Sequence, residues 1–393
     1  MYKKVPTDMQ FAQREHEVLE FWQKENIIQK SIQARPDKPS FTFYDGPPTA
    51  NGTPHTGHLL TRSIKDLFPR YKRMQGFDVF RKAGWDTHGL PVELEVEKLL
   101  GLDGKEQIEQ YGVEPFIAEC KKSVWKYKGE WEDMSNAVGF WADMEHPYIT
   151  YENSYIESVW WSLKRLWDQD LLYKGYKVVP YCPRCGTSLS SHEVAQGYKD
   201  VSEPSLYVNF KLADEDAYAM AWTTTPWTLP SNVGLCVNPK ETYAYVKACD
   251  GKTYLVAKAR IEHLFGEHAE HIEIVKELVG QDLVGKRYEP LFDFQHNVFD
   301  QPETAWRIVA DGYVTLTDGS GIVHIAPAFG EDDNRISQAY DLPFVQLVDS
   351  TGCFDARTPW DGLFVKEADP KITEFLEGRG QIFRVEDNEH SYP

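Results

Sequence analysis

Two histidines three residues apart, His55 and His58, close a stretch that reads GPPTANGTPHTGHLL from residue 46 to residue 60. Its Gly and Pro content argues against regular structure before His55, and Gly46, Gly52 and Gly57 let backbone come close to a ligand. Imidazoles placed there suit hydrogen-bond donation to phosphoryl oxygens as charge develops on them. Exposed loop histidines without a task are the alternative that this spacing leaves open. Asp86, in GWDTHGLPVE, is the next candidate. A carboxylate beside an anion-binding loop can hold the ammonium of a zwitterion and leave its carboxylate free to attack phosphorus; an N-cap of the following turn is the plainer role. Cys182 and Cys185, in YCPRCG, have the spacing of a zinc knuckle but supply half of a four-ligand set. His192 is a further ligand candidate or a simple surface histidine.

These residues need elements to position them. From Phe11 to Lys30 apolar residues recur at helical spacing, and PDKPS then leads into FTFYD, a short alternating strand. Strand, Gly-Pro loop and helix in that order predict an α/β fold with a parallel sheet and a site at the carboxyl end of the strand. A helix beginning near Gly57 turns free N–H groups and its positive end toward the loop, a ready anion site. Pro69 predicts that this helix ends or kinks near Phe68. Helical periodicity continues in LPVELEVEKLLG, PFIAECKKSVWKYKGEWEDM and YENSYIESVWWSLKRLWDQDLL. Beyond Tyr198 the texture changes to short strands, SLYVNFKL, YAMAWTTT, TYAYVKAC, KTYLVAKA and RIVADGYVTLTDGSGIVHIAP, which predict a second, β-rich domain.

Composition sets outer limits. The chain has 393 residues, 41% hydrophobic and 13% aromatic, enough for more than one core and too apolar for a disordered coil. It contains no apolar run of the length a bilayer requires, so no membrane role is indicated. The N-terminus lacks an apolar leader, and six cysteines are too few for a disulfide scaffold; a reducing cytoplasmic setting is expected. The 61 acidic residues exceed the 42 basic ones, a formal charge of −19, which argues against phosphate binding in bulk. KDLFPRYKRMQGFDVFRK, from Lys65 to Lys82, nevertheless carries six basic and two acidic residues, either a local positive patch or a solvated charged face.

The order HxGH behind a PPxANG loop resembles the signature of class I aminoacyl-tRNA synthetases. GPPTANGTPHTGH followed by GWDTHGLPVE narrows the resemblance to the isoleucyl-tRNA synthetase family. AWTTTPWTLPSN at 221–232 and GSGIVHIAPAFGEDD at 319–333 resemble its inserted editing domain, where leucyl and valyl relatives typically carry TTRP in place of TTTP. The resemblance implies a Rossmann-type catalytic sheet with an inserted, β-rich, barrel-like editing domain. It divides the chain into a helical extension (1–40), the first half of the catalytic domain with a helical connective part (41–180), a CxxC connector (181–198), the editing domain (199–388) and a return connector (389–393).

The resemblance also assigns roles. His55 and His58 stabilise the adenylation transition state. Gly46, Pro48, Asn51, Gly52 and Gly57 join them in binding ATP, delivered with Mg²⁺. Gly46, Pro47 and Asp86 hold isoleucine. Thr223, Thr224, Thr225 and Asn232 receive the terminal adenosine of charged tRNA-Ile, Asp333 takes the α-amino group of misattached valine, and His324 shapes the side-chain pocket. Editing is required because one missing methylene discriminates too weakly between amino acids, isoleucyl enzymes being the standard example. No Ser-His-Asp word is evident, so a positioned water helped by the ribose hydroxyl is the expected hydrolytic route. Zn²⁺ at Cys182 and Cys185 would be structural, and a monomer is expected. No KMSKS-like segment occurs in the 393 residues, so this chain alone is expected to give no ATP–pyrophosphate exchange; robust exchange would defeat that expectation. A module that only binds or deacylates the charged tRNA end is the alternative.

Overall fold

A computed structural model describes residues 10–49, 52–195 and 197–392, with side chains at 192, 267, 269 and 270 left aside. The chain divides into two compact units, Met1–Lys174 and Gly175–Pro393.

The first unit is built on a parallel sheet of β1 (Ser40–Tyr44), β2 (Asp78–Trp85) and β3 (Asp143–Ile149), in that order. Parallel neighbours need crossovers. The helix Thr56–Met74 joins β1 to β2, and four helices, Leu90–Leu100, Lys105–Tyr111, Val113–Ser123 and Lys128–Ala137, join β2 to β3. Trp85, Val92, Val124 and Trp131 pack together beneath that second crossover. The helix after His55 does not end at Phe68 but runs through Pro69. Proline inside a helix costs about 3 kcal/mol, and here tertiary anchors offset it. Arg70 pairs with Asp66 across Pro69 and donates to the Gly139 carbonyl at 2.6 Å, while Asp66 accepts the Trp141 N–H at 3.0 Å.

β3 escapes the sequence patterns because DMEHPYI is polar and contains Pro147. As an edge strand it tolerates both. Its register against β2 slips between Lys82 and Gly84, and there the Tyr148 ring lies over Gly84. A Cβ at Gly84 would stand 2.2 Å from that ring. The Tyr148 hydroxyl donates to the Asp45 carbonyl at the end of β1, so displacing the ring also loosens the site end of the sheet. Gly84→Ala is expected to lower stability by about 1–3 kcal/mol through overpacking, measured as a shift in the denaturant midpoint. Unchanged stability would remove the close approach from this account.

The second unit begins with a hairpin of β4 (Tyr181–Cys182) and β5 (Thr187–Ser188). A six-stranded sheet follows, built from β6 (Lys199–Lys211), β7 (Tyr218–Thr223), β9 (Thr242–Lys247), β10 (Thr253–Ala257), β11 (Glu273–Val279) and β14 (Ile382–Tyr392), in the order β11-β9-β10-β7-β6-β14. A three-stranded sheet has β8 (Gly234–Val237) between β12 (Arg307–Ala310) and β13 (Ile322–Ile325). Among the described residues neither sheet closes on itself, so the β-rich unit is two open sheets rather than a closed barrel. The YVTLTDG stretch, expected as strand, is a loop, because β12 and β13 flank β8 on opposite sides and the chain between them must cross over. Leu206, Val208, Phe210, Leu235, Leu255 and Ile325 are fully buried in the main core. No described helix is long and apolar enough to cross a membrane.

Candidate functional site

His55 is the N-cap of the helix Thr56–Met74. Its Nδ1 accepts the Gly57 N–H at 3.2 Å, and the Nδ1 of His58 accepts the His55 N–H at 3.1 Å. A neutral imidazole that accepts at Nδ1 carries its proton on Nε2. Both rings, whose centroids are 3.8 Å apart, therefore offer an Nε2–H donor. Burial, aided by neighbouring His55 and by the positive charges of Arg62 and Lys65, holds His58 below the usual histidine pKa and favours that neutral donor. The helix end itself is less open than the sequence suggests. The Gly57 N–H is taken by His55 and the His58 N–H bonds the His55 carbonyl at 2.9 Å, so the imidazoles replace backbone groups as donors there.

Beneath them lies a cluster that sequence reasoning missed. Asp45 follows β1, is 2% exposed, and receives Lys65 Nζ at 2.8 Å on one oxygen and Arg62 Nη1 at 3.6 Å on the other. Lys65 also donates to the Gly46 carbonyl at 3.0 Å. Arg62 lies over the Phe140 ring at 4.6 Å and the Trp131 ring at 5.4 Å, and the Trp131 indole N–H donates to the Gly52 carbonyl at 2.8 Å. Helical spacing was the available signal, since His58, Arg62 and Lys65 fall at i, i+4 and i+7 on one helix face.

Asp86 follows β2, and its N–H donates to the Pro48 carbonyl at 3.0 Å while Thr49 pairs with it as an isolated bridge. The loop carrying Gly46, Pro47 and Pro48 thus runs beside Asp86 at the carboxyl ends of β1 and β2. Asp86 is no helix cap, since Gly89 fills that position for Leu90–Leu100. Thr87 and His88 are tied to the Thr150 hydroxyl at the end of β3, through the Thr87 N–H at 3.0 Å and His88 Nδ1 at 2.9 Å. Asn51 lies outside the described residues.

In the second unit a cavity of about 260 Å³ is lined by Thr223, Thr224, Thr225, Thr228, His324 and Asp333, with Trp222, Val323, Ala326 and Phe329 supplying apolar wall. β7 ends at Thr223 and a 3₁₀ turn, Pro226–Ser231, folds Thr228 back toward β13. The Thr225 N–H donates to Thr223 Oγ1 at 3.1 Å. Thr228 donates its hydroxyl proton to the Thr225 carbonyl at 2.8 Å and lies 3.1 Å from His324 Nε2. With the threonine proton committed, His324 is the donor in that contact and its Nδ1, which has no partner among the described residues, is the bare nitrogen. Burial lowers the His324 pKa to about 4, so it is a neutral wall residue and a poor general base.

Asp333 stands in the first turn of the helix Glu331–Tyr340 and accepts the Ala326 N–H at 3.0 Å. Burial pushes its carboxyl up to about 6, with Asp332 adding to the rise and the Ala326 N–H opposing it. Asn232 does not join the cavity. It is 1% exposed, its amide N–H donates to the Gly234 carbonyl at 2.9 Å and its oxygen accepts the Tyr288 hydroxyl at 2.7 Å. Its side-chain polar atoms are engaged within the fold, holding the turn. Thr228 and Phe329, unassigned from sequence, take their places through the turn and the approach to the acidic helix.

Cys182 ends β4 opposite Thr187, and Cys185 lies in the turn of the hairpin, its N–H 3.4 Å from Cys182 Sγ. Burial, together with the Cys182 hydrogen bond, raises the Cys185 pKa. Among the described residues no group of three or more His, Cys, Asp or Glu side chains gathers as metal ligands. The two thiols alone do not fit tetrahedral zinc, and the His192 side chain lies outside the description.

The chain belongs to the class I tRNA synthetases (I, L, M and V), matched over residues 17–359. Within that class it is similar to isoleucine–tRNA ligases. It is 56% identical to that of Clostridium novyi and 45% identical to that of Picrophilus torridus, over its whole length in both cases. The chain spans 37% and 38% of the length of those relatives. The solved editing domain of the P. knowlesi cytosolic leucyl-tRNA synthetase aligns with a TM-score of 0.37 at 12% identity, covering 47% of this chain and 97% of that one.

Proposed function

We propose that this chain is the part of a cytoplasmic, monomeric isoleucine–tRNA ligase that carries the histidine loop of the adenylation site and the whole editing site. The similarity to isoleucine–tRNA ligases over the full chain supports that reading. Isoleucine would lie along Gly46 and Pro47 with its ammonium on Asp86. Its carboxylate would attack the α-phosphorus of ATP and release pyrophosphate. His55 and His58 would donate from Nε2 to the phosphoryl oxygens, a role suited to neutral imidazoles fixed at Nδ1. Gly52 and Gly57 fit close backbone approach to the nucleotide, as does Pro48 beside Asp86; Asn51 keeps its proposed ATP contact from the sequence reading. Mg²⁺ would enter with the ATP phosphates, and tRNA-Ile would accept the activated residue.

At the editing site, valine attached to tRNA-Ile would place its ammonium against Asp333 and its terminal ribose among Thr223, Thr224 and Thr225, with His324 limiting the side chain. Water oxygen would add to the ester carbonyl carbon, the carbon–ribose oxygen bond would break, and that oxygen would take the proton. The observation that carries this step is one cavity holding both a threonine hydroxyl row and a buried carboxylate. All of its walls come from residues of the Gly175–Pro393 unit, which favours a deacylase module as the second reading. To test it, the 393-residue chain is given tRNA-Ile charged with radiolabelled valine or isoleucine. Faster release of valine is expected; equal release of both, or binding without release, would defeat the proposal.

A further inference from the structure

Asp369 lies on the helix Val365–Gly378, far in sequence from every word that suggested chemistry. One of its oxygens accepts the Trp227 backbone N–H at 2.7 Å. Trp227 occupies the 3₁₀ turn Pro226–Ser231, one residue before Thr228, the hydroxyl that bonds His324. The Trp227 ring meets Phe329 edge-on with centroids 4.8 Å apart, and Phe329 lines the cavity just before the helix that carries Asp333. This backbone hydrogen bond therefore anchors the start of the turn on which two cavity walls depend, while Gln295 holds its far end at the Leu229 and Pro230 carbonyls. A 3₁₀ turn leaves its first N–H groups without partners inside the turn; Asp369 supplies one.

The other Asp369 oxygen lies 3.6 Å from Lys366 Nζ, which turns to Glu203 on β6 at 2.8 Å. The charge of Asp369 is thus balanced away from the cavity while its acceptor oxygen serves the turn. We infer that Asp369 is a positioning residue for the threonine-lined cavity, setting Trp227 so that Thr228 and Phe329 hold the shape that tells valine from a larger side chain. This inference rests on the hydrolytic reading of the cavity. It assigns the work to the acceptor oxygen rather than to the negative charge, which Asn would preserve and Ala would not.

The test uses the 393-residue chain and tRNA-Ile charged with valine or with isoleucine. Asp369→Ala is expected to lower kcat/KM for valine release by about tenfold and to narrow the valine-over-isoleucine ratio, the scale of one hydrogen bond. Asp369→Asn is expected to stay within about threefold of the parent, since the amide oxygen still accepts the N–H. Lys366→Met, which removes the ion pair and leaves the Trp227 bond, should also stay within about threefold. An Asp369→Ala chain with parental rate and ratio overturns the inference, as does an equal loss in Asp369→Asn. Should the Ala variant not fold, the Asn and Met variants decide: a tenfold loss in either overturns the acceptor role. A parent chain that releases no valine at all removes the hydrolytic reading, and the inference with it.

Discussion

Asp333→Ala is expected to cut kcat/KM for hydrolysis of valyl-tRNA by about 100-fold, the worth of about 3 kcal/mol of charge-assisted contact in a buried site. Binding of the charged tRNA end should persist, because the threonine row is untouched. Loss of binding in parallel with hydrolysis would instead make Asp333 part of the scaffold. The pH dependence carries the same assignment. With its carboxyl raised to about 6, Asp333 is neutral below that pH and charged above it, so kcat/KM for valine release should rise through about pH 6 and lose that limb in Asp333→Asn. Stability should move the other way. A folded-state pKa above the unfolded value means the folded chain binds the proton more tightly, so stability falls as pH rises from the ordinary carboxylate range through 6. Asp333→Asn should therefore raise the Tm at pH 7.5 and change it little near pH 4. A Tm gain that is the same at both pH values would show that the charge is not the cause.

Asp45→Ala carries the largest stability effect in the first unit. Asp45 is the shared partner of Arg62 and Lys65, and Arg62 is only 4% exposed. Removing the carboxylate leaves a guanidinium buried against Trp131 and Phe140 without its counter-charge, a change that costs about 3–5 kcal/mol. Thermal or denaturant unfolding of the first unit measures it. The effect should reach the histidine loop, because Lys65 also holds the Gly46 carbonyl and Trp131 holds the Gly52 carbonyl. Asp45→Asn keeps one acceptor and should lose less. Equal stability of parent and Asp45→Ala would show that Arg62 finds compensation elsewhere.

The sequence made a good part of both sites readable, because their residues lie in short contiguous words. Strand, glycine loop and helix are local decisions, settled by Gly and Pro punctuation and by helical periodicity. That is why β1, the start of the helix at Thr56 and the strand leading into the threonine row fall where their residues suggest, although β7 stops at Thr223 and leaves Thr224 and Thr225 beyond it. The short apolar runs of β9 and β10, bounded by turn residues, marked strands for the same reason. Pro69 shows the limit of local rules, since the helix passes it only because Asp66 and Arg70 are anchored to each other and to Gly139 and Trp141.

What sequence alone determined is the inventory: paired histidines behind a glycine-rich loop, an aspartate in GWDTHGLPVE, a threonine row and the acidic word GEDD. Tertiary structure decided which atoms of that inventory are available. Nδ1 of each histidine is engaged by backbone, leaving Nε2 as the donor; Asn232 turns inward to Gly234 and Tyr288; and Thr228 comes beside His324. It also decided the partners that no word announces, Asp45 under Arg62 and Lys65, and Asp369 on the Trp227 N–H. The physical reason is that periodicity and turn chemistry act over a few residues, whereas burial and hydrogen-bond satisfaction join residues as distant as Trp227 and Asp369.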